Sequence, residues 1–418
     1  MNTQAIDQQH YNDVALPETY ADQQKLDAIL THMRANAPIT LIDHPDFRPF
    51  WAISKHEDVV EIERLNDQFI NDPRAVLADI ATEQATLEFT GGNHLLLRTL
   101  IHMDNPDHKT YRGLTQDWFM PGSLRDWEPR FRELAKMFVE RMAGMNGECD
   151  FVQDISIWYP LRVVMMILGV PEEDEARMLR LTQELFGAAD EEMKRKEDAT
   201  DNSDTISDFF MYFTQMTEDR RANPRDDAAT LIANAVIDGE PIGHLEAMSY
   251  YIIIATAGHD TTSSSISGGL LALIENPEEL AKLKADPSLI PSAVDEMIRW
   301  TTPVKHFMRT ATEDFDIRGT HIKKGESVML LYPSANRDED VFDDPFAFRV
   351  DRKPNKHVAF GFGAHLCLGQ YLAKLEMRML LEELLPRLDE IELAGEPSLI
   401  TSSFVSGLKH LPIRYKMC

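Results

Sequence analysis

The sequence predicts a mainly α-helical protein with a small β part. Apolar residues recur at three- and four-residue spacing over many long segments, which is typical of amphipathic helices. Strand-like runs are few and short, and most lie in the last third of the chain. No Gly/Ser-rich or Pro-rich linker and no repeat of solenoid length divides the 418 residues.

Helical patterns dominate the chain from residue 23 onward. In each of them the apolar residues fall on one face, with polar residues between them. In order, the predicted helices cover residues 23–36, 56–65, 123–145, 154–168, 172–187, 205–221, 226–238, 243–275, 277–285, 289–301 and 368–388.

The strands and the loops follow from turn signals. The predicted strands are residues 50–54, 307–310, 315–317, 327–331 and 413–415. Dipeptides such as Arg318-Gly319 and Lys324-Gly325 separate several of them. Residues 188–204 are strongly polar and lack periodicity, which predicts a mobile surface loop. If the protein encloses a ligand, this loop is also a candidate lid.

Composition argues against several classes of protein. With 70 Asp and Glu against 42 Lys and Arg, the net charge of −28 repels nucleic-acid phosphates and anionic lipid surfaces. The longest apolar run, near residues 250–257, is too short to span a bilayer. The N-terminus lacks the basic and apolar regions of a secretory signal. We therefore expect a cytoplasmic protein that binds neither nucleic acid nor membrane.

Cys367 lies in the segment AFGFGAHLCLGQ, directly before a helical pattern. A disulfide is disfavoured, because Cys149, Cys367 and Cys418 are odd in number and widely spaced in a chain without a secretory signal. Zinc is disfavoured, because His365 is the only other Cys or His within five residues. The cysteine is expected to act alone.

The surroundings of Cys367 favour a thiolate. At a helix N-terminus, free N–H groups and the helix dipole stabilise a negative charge. Gly361 and Gly363 allow the loop to fold back and direct amides at the sulfur, and Gly369 leaves room for a flat group. These features favour a thiolate ligand to a porphyrin-bound iron. The alternative is a buried cysteine in a Gly-rich turn, which is the commoner fate of a free cysteine.

The AGHDTT segment at 257–262 interrupts the longest helical pattern with indifferent or poor helix formers. One interpretation is that a hydroxyl bonds back to the preceding turn and only bends the helix. The other is a local opening, where Gly258 leaves space and Asp260 with Thr261 offers a carboxylate and a hydroxyl as a proton relay.

Two further pairs carry charge on one helix face. Glu296 and Arg299 lie in the otherwise apolar DEMIRW, and Arg352 is a candidate third member of a buried network. His108 and Arg112 in DHKTYR are four residues apart and suit the binding of one carboxylate. The ordinary alternatives are a solvated surface ion pair and a plain surface histidine.

Four motifs in this order resemble those of the cytochrome P450 superfamily of haem-thiolate monooxygenases. They are HxxxR at 108–112, AGxDT at 257–261, ExxR at 296–299 and FxxGxxxCxG at 360–369. The resemblance spans essentially the whole chain. It implies one catalytic domain over residues 1–418, built as a triangular helical prism around a haem, with β parts near 50–54 and 307–415.

The resemblance also implies residue roles. Cys367 would be the axial ligand of haem b, with Phe360 and Gly369 in the loop that shields it. The residues implied to brace that loop are Glu296, Arg299 and Arg352. The implied donors to the haem propionates are His108, Arg112, Arg309 and His365. Asp260 and Thr261 would be the acid and the alcohol that deliver protons during the activation of O2.

Longer stretches, such as HLCLGQYLAKLEMR at 365–378, are similar to soluble bacterial members that hydroxylate terpineol. They imply insertion of one oxygen atom of O2 into a C–H bond of a monoterpenoid, with aromatic hydrocarbons as the alternative substrates. The implied partners are a two-iron ferredoxin and its NAD(P)H-dependent flavoprotein reductase. The basic residues that are candidates for docking the ferredoxin are Lys109, Arg125, Lys353 and Lys356.

The expected substrate pocket is apolar, so that shape rather than charge selects a compact molecule. The residues expected to line it are Ile254, Ala257, Val304, Phe307, Phe404 and Val405, with Leu95 to Leu97 and Phe186 as further candidates. Three other functions stay open. They are a peroxide-driven haem enzyme, which has no need of the Asp260-Thr261 pair, a non-catalytic haem sensor or carrier, and a helical scaffold without cofactor.

Overall fold

The structure, a computed structural model, describes residues 8–186, 190, 192–193 and 203–418. Its α-helices are α1 (Pro17–Tyr20), α2 (Gln23–Asn36), α3 (His56–Arg64), α4 (Ile80–Thr90), α5 (Asp107–Gly113), α6 (Pro121–Ala143), α7 (Trp158–Leu168), α8 (Glu175–Phe186), α9 (Ser203–Ala222), α10 (Ala228–Ala233), α11 (His244–Ala257), α12 (Asp260–Glu275), α13 (Pro277–Ala285), α14 (Ile290–Thr301), α15 (Tyr332–Ala335) and α16 (Gln370–Leu384). The predicted mainly α-helical class is confirmed.

The β part is small, as predicted. The strands are β1 (Ile39–Ile42), β2 (Phe50–Ile53), β3 (Phe69–Ile70), β4 (Glu148–Asp150), β5 (Val236–Ile237), β6 (Glu240–Pro241), β7 (His306–Ala311), β8 (Phe315–Ile317), β9 (Thr320–Ile322), β10 (Ser327–Leu331), β11 (Leu388–Leu393), β12 (Ser398–Leu399), β13 (Leu408–His410) and β14 (Pro412–Met417). The largest sheet has the order β1-β2-β10-β7-β3, in which only β2 and β10 are parallel. A second sheet has the order β11-β14-β4.

Helix α4 is absent from the sequence prediction. None of its residues is buried, so it carries no apolar stripe to reveal it. Its ends follow from local chemistry instead. The Asp79 side chain accepts from the Thr82 amide at the start, and Gly91 adopts a left-handed conformation with φ of 69° at the end.

Two predicted helices are too long. The helix predicted over 226–238 ends at Ala233, because Asp238 and Gly239 both have positive φ and form the tight turn between β5 and β6. The helix predicted over 368–388 begins at Gln370 and ends at Leu384, since Pro386 cannot continue it.

The helices around α12 form the main core. Helix α12 packs against α7, α14 and α16, and α16 packs against α6. The approach of α12 to α14 depends on Gly269, where a Cβ would lie 2.2 Å from the terminal methyl of Met297. No helix within the described ranges is both long enough and apolar enough to cross a bilayer.

Candidate active site

Cys367 lies in the loop between a 3₁₀ turn, Gly363–His365, and α16. Its own amide donates to the Phe360 carbonyl over 2.9 Å and closes the loop. The amides of Gly369 and Gln370, at the start of α16, face the sulfur. The loop therefore presents the thiol next to two N–H donors from the helix that follows it.

The glycines before Cys367 have a different task from the one expected. Gly361 and Gly363 do adopt left-handed conformations, each with φ of 70°. However, the amides at the sulfur come from the downstream side. A Cβ on Gly363 would lie 2.5 Å from the Glu63 carbonyl oxygen, so this glycine allows the loop to pack directly on α3. Gly369 borders open space, where a Cβ would meet nothing within 4 Å.

The backbone amides at Cys367 favour a thiolate, as expected, but burial of the sulfur opposes it. Burial raises the pKa of Cys367, while the Gly369 and Gln370 amides and the charge of Arg112 act in the opposite direction. The cost of removing the thiolate from water exceeds the stabilisation that these neighbours give it. A thiolate at this position therefore needs a further positive charge, such as a bound metal ion.

The structure brings the candidate propionate donors together. The rings of His108 and His365 have centroids 3.9 Å apart. Arg112 Nη2 donates to the Leu366 carbonyl over 2.8 Å, next to Cys367. Burial, together with the charges of Arg309, His108 and Arg112, lowers the pKa of His365 to about 2.

The same cluster lowers the pKa of His108. Burial and the charges of Arg112 and Arg309 lower the pKa of His108 to about 4, although the Asp104 carboxylate acts to raise it. The guanidinium groups of Arg112 and Arg309 thus converge with two neutral imidazole rings. An anionic ligand group fits this environment.

Glu296, Arg299 and Arg352 form a buried network. Arg299 Nε donates to Glu296 Oε2 over 2.7 Å, and Arg352 Nε donates to Glu296 Oε1 over 3.0 Å. Both arginines also donate to backbone carbonyls of residues 336–347. The network ties α14 to the segment that precedes the cysteine loop.

The predicted long helix is interrupted at Gly258 and His259, between α11 and α12. The Thr261 hydroxyl donates to the Ala257 carbonyl over 2.8 Å, which is the back-bonding that bends a helix. Gly258 does not leave an empty space, as the second interpretation expected. A Cβ there would lie 2.8 Å from Val164 Cγ2, so the glycine allows α7 to pack closely at the break.

Asp260 is the first residue of α12, and one of its two carboxyl oxygens lacks a hydrogen-bond partner within the described residues. Its Oδ1 lies 3.2 Å from His259 Nδ1, while Oδ2 is buried without a hydrogen-bond partner within the described structure. Burial raises the pKa of Asp260, and His259 opposes the shift. The carboxyl is thus more readily protonated than an exposed aspartate.

A cavity of about 350 Å³ lies beside the helix break. Asp260 and Thr261 reach it, and most of its wall is apolar. The expected residues that line it are Leu95, Leu96, Leu97, Ala257, Val304, Phe307, Phe404 and Val405. Five polar residues that the sequence analysis did not single out also line it, namely Thr86, His94, Thr99, His102 and Thr256.

The prediction that Ile254 lines the pocket is wrong. Its side chain is buried in the main core, and Ile253 lines the cavity instead. Ile253 lies one helical turn before Ala257 and shares its face, whereas Ile254 is rotated by about 100° from Ile253 and is buried in the main core. The side chain of Phe186 lies outside the described residues, and the neighbouring Leu185 lines the cavity.

The cytochrome P450 family model matches residues 85–417, most of the chain. The chain belongs to the cytochrome P450 family. Its mostly helical architecture with small sheets is the fold of this family.

Similar proteins agree with this assignment. Cytochrome P450-terp from a Pseudomonas species is 46% identical over 411 residues, which are 96% of each chain. Steroid C26-monooxygenase from Mycolicibacterium smegmatis is 32% identical over 92% of this chain and 90% of that protein. The crystal structure of CYP108D1 from Novosphingobium aromaticivorans covers 99% of each chain with a TM-score of 0.91 and 43% identity. The protein is a cytochrome P450 monooxygenase, and the family implies a haem iron.

The residues present fit a haem. Burial opposes a thiolate at Cys367 in the protein alone, open space adjoins Gly369, and the guanidinium groups of Arg112 and Arg309 act on His365. A haem supplies an iron, a flat ring and two propionates. Cys367 would then bind the iron, and His108, Arg112, Arg309 and His365 would bind the propionates.

Two residues of this cytochrome P450 site escaped the sequence analysis. Asn71 Nδ2 lies 2.8 Å from His365 Nε2, and since an amide NH2 only donates, it orients this histidine. Glu63 is buried and accepts from Arg309 Nη2 at 3.4 Å. Neither residue lies near the motifs in sequence, and only the pairing of distant segments brings them to the site.

The candidate lid of the cytochrome P450, residues 188–204, lies almost entirely outside the described residues. The candidate docking residues Lys109, Arg125, Lys353 and Lys356 are all exposed. Among the described residues, none of the four takes part in an ion pair within 4.0 Å.

Proposed function

We propose that this cytochrome P450 uses haem b to insert one oxygen atom of O2 into a C–H bond of a small monoterpenoid. We also take residues 1–418 as one catalytic domain. The observation that carries the substrate proposal is the cavity, whose volume of about 350 Å³ is at the lower end of the range for ligand sites. Its wall is largely apolar, and Asp260 and Thr261 open into it.

The haem, when bound through a thiolate, supplies an oxidant able to take hydrogen from a C–H bond. The protein's own residues supply shape and protons. The apolar wall excludes water and orients the substrate. The raised pKa of Asp260 allows its carboxyl to hold a proton and release it. The Thr261 hydroxyl opens into the same cavity and can pass that proton on.

Aromatic hydrocarbons are the second candidate substrates. Phe307 and Phe404 both line the cavity, with ring centroids 5.5 Å apart and planes at 68°. Aromatic rings favour such edge-to-face contacts, so this pair suits a planar arene as well as a terpenoid ring.

We further propose that a two-iron ferredoxin and an NAD(P)H-dependent flavoprotein reductase supply the electrons. The net charge of −28 repels an acidic ferredoxin, so a local basic surface has to contact it. Lys109, Arg125, Lys353 and Lys356 are the candidates. Glutamine at all four positions is expected to weaken ferredoxin binding, and binding that is unchanged at low salt would contradict their role.

The function is tested by adding a panel of terpenoids and arenes to the purified ferric protein and following the Soret band. We expect a spin-state change with compact monoterpenoids at lower concentration than with steroids or long-chain lipids. Product that forms only with NADH and the electron-transfer partners excludes a sensor or carrier. Equal turnover with peroxide alone would instead favour a peroxide-driven enzyme.

The iron ligand is tested separately. The carbon monoxide adduct of the reduced protein should show the red-shifted band of a thiolate-bound haem, and Cys367→Ser should remove that band. Its persistence in the variant would contradict the assignment of Cys367. A purified protein that cannot bind haem would favour the scaffold interpretation.

A further inference from the structure

His102 is a partly buried polar side chain in a mostly apolar cavity wall. It ends the 3₁₀ turn Leu100–His102 and lines the cavity together with Thr99 and Ile101. Opposite walls of the cavity are made by α11 and by the segments around Phe307 and Phe404. A histidine in such surroundings needs a partner for each ring nitrogen.

One ring nitrogen of His102 is occupied within the protein. The Thr99 hydroxyl lies 3.0 Å from Nδ1, and the Thr99 amide donates to Nδ1 over 3.4 Å. Because an amide N–H only donates, Nδ1 is an acceptor. Burial and the charge of Arg98 lower the pKa of His102 to about 4, so the ring is neutral near pH 7. A neutral ring that accepts at Nδ1 carries its hydrogen on Nε2.

The other nitrogen, Nε2, has no hydrogen-bond partner within the described part of the chain. Two threonines of the wall already use their hydroxyl hydrogens, since Thr256 donates to the Ile252 carbonyl and Thr261 to the Ala257 carbonyl. His94 is exposed, and Thr86 lies on α4, which has no buried residue, so water competes for both. The His102 N–H is therefore a donor of the cavity wall that a ligand can use, besides the Asp260 carboxyl, which the proposed function assigns to proton delivery.

We infer that His102 Nε2 donates a hydrogen bond to an oxygen atom of the substrate, so that the cavity selects small terpenoids or arenes bearing a hydroxyl, ether or carbonyl group. This inference rests on the proposed function and refines its substrate class. A hydrocarbon of the same shape displaces water from the N–H without replacing the hydrogen bond, which weakens its binding. Oxygenated ligands are therefore expected to bind about tenfold more tightly than their deoxy analogues.

The test uses the haem-loaded protein and matched pairs of ligands. α-Terpineol is compared with p-menth-1-ene, and p-cymen-8-ol with p-cymene, by measuring Kd from the Soret shift. In the wild-type protein we expect the alcohol of each pair to bind about tenfold more tightly. Equal affinities within both pairs would overturn the inference, and would leave the haem and the monooxygenase proposal intact.

Variants then assign the preference to His102. His102→Leu should remove the preference for the alcohols while it keeps or tightens the binding of the hydrocarbons. His102→Gln, which retains an N–H donor, should recover part of the preference. His94→Leu is the matched control at the exposed end of the wall and should keep the full preference. A preference that survives in His102→Leu, or disappears in His94→Leu, contradicts the role of His102.

The wild-type comparison also separates the two proposals if a variant fails to load haem. A protein that shows no Soret shift with any member of the panel fails the proposed function. One that responds to hydrocarbons and alcohols alike fails only the inference about His102.

Discussion

The Tyr332 hydroxyl donates to Glu63 Oε1 over 2.6 Å in the interior of the protein. Arg309, a candidate propionate donor, contacts the same oxygen at 3.4 Å. The main chain of Glu63 is also the surface on which Gly363 packs. A buried carboxyl thus links α3, the largest sheet and the cysteine loop.

Glu63 should make stability depend on pH. Burial raises its pKa to about 7 from an ordinary 4.5, against the charge of Arg309 and the Tyr332 hydroxyl. Between these values the folded protein binds more protons than the unfolded chain, so this residue lowers the free energy of unfolding as the pH rises. Glu63→Gln cannot ionise and should escape that loss, which amounts to about 3 kcal/mol across the window.

Urea unfolding of both haem-loaded proteins at pH 5 and pH 8 measures this effect. The free energy of unfolding of Glu63→Gln, relative to that of the wild-type protein, should be larger at pH 8 than at pH 5. Glu396→Gln, which changes an exposed carboxyl, controls for the loss of one negative charge. An offset between Glu63→Gln and wild type that is the same at both pH values would show that Glu63 does not titrate in this range.

Thr261→Ala should uncouple electron consumption from product formation. The variant keeps the apolar wall, so substrate binding should change little, while the loss of the hydroxyl removes a member of the proposed proton relay. We expect the yield of product per NADH to fall and hydrogen peroxide to rise. Thr261→Ser keeps a hydroxyl and should recover much of the yield. Unchanged coupling in Thr261→Ala would remove this residue from the mechanism.

Glu296→Gln should be strongly destabilising. The change leaves the buried guanidinium groups of Arg299 and Arg352 without their shared counter-charge, which costs about 3–5 kcal/mol. The control is Glu148→Gln in the exposed pair with Arg414, where the loss should stay below about 1 kcal/mol. Equal midpoints of unfolding for the two variants in urea would contradict a structural role for Glu296.

Gly363→Ala and Gly325→Ala separate backbone strain from crowding. Both positions have positive φ, so alanine costs about 1 kcal/mol at either one. At Gly363 the new Cβ would also lie 2.5 Å from the Glu63 carbonyl oxygen, whereas at Gly325 it meets nothing within 4 Å. We expect a clearly larger loss of stability and of haem content for Gly363→Ala. Equal losses would show that the loop moves away from α3 freely.

Much of the fold was predictable because its signals are local. The spacing of apolar residues located α2 with its observed bounds, and the poor helix formers of AGHDTT marked the break between α11 and α12. Helix α4 was missed because an unburied helix has no apolar stripe. The predicted helices extended past the observed ends of α10 and α16, because a turn ends the first and a proline ends the second although the apolar pattern continues.

The residues of the candidate site likewise include some that local sequence patterns reveal and some that they do not. The motif residues, including Cys367, Asp260, Glu296 and Arg299, were predictable from the chain alone, because each stands in a short pattern with its own chemistry. The three-dimensional packing was needed to show that Ile253 rather than Ile254 lines the cavity, that Glu63 packs against the cysteine loop and that His102 Nε2 has no partner within the described residues. These facts depend on helix rotation, on contacts between segments far apart in the chain and on which atoms remain unpaired. A linear pattern carries none of that information.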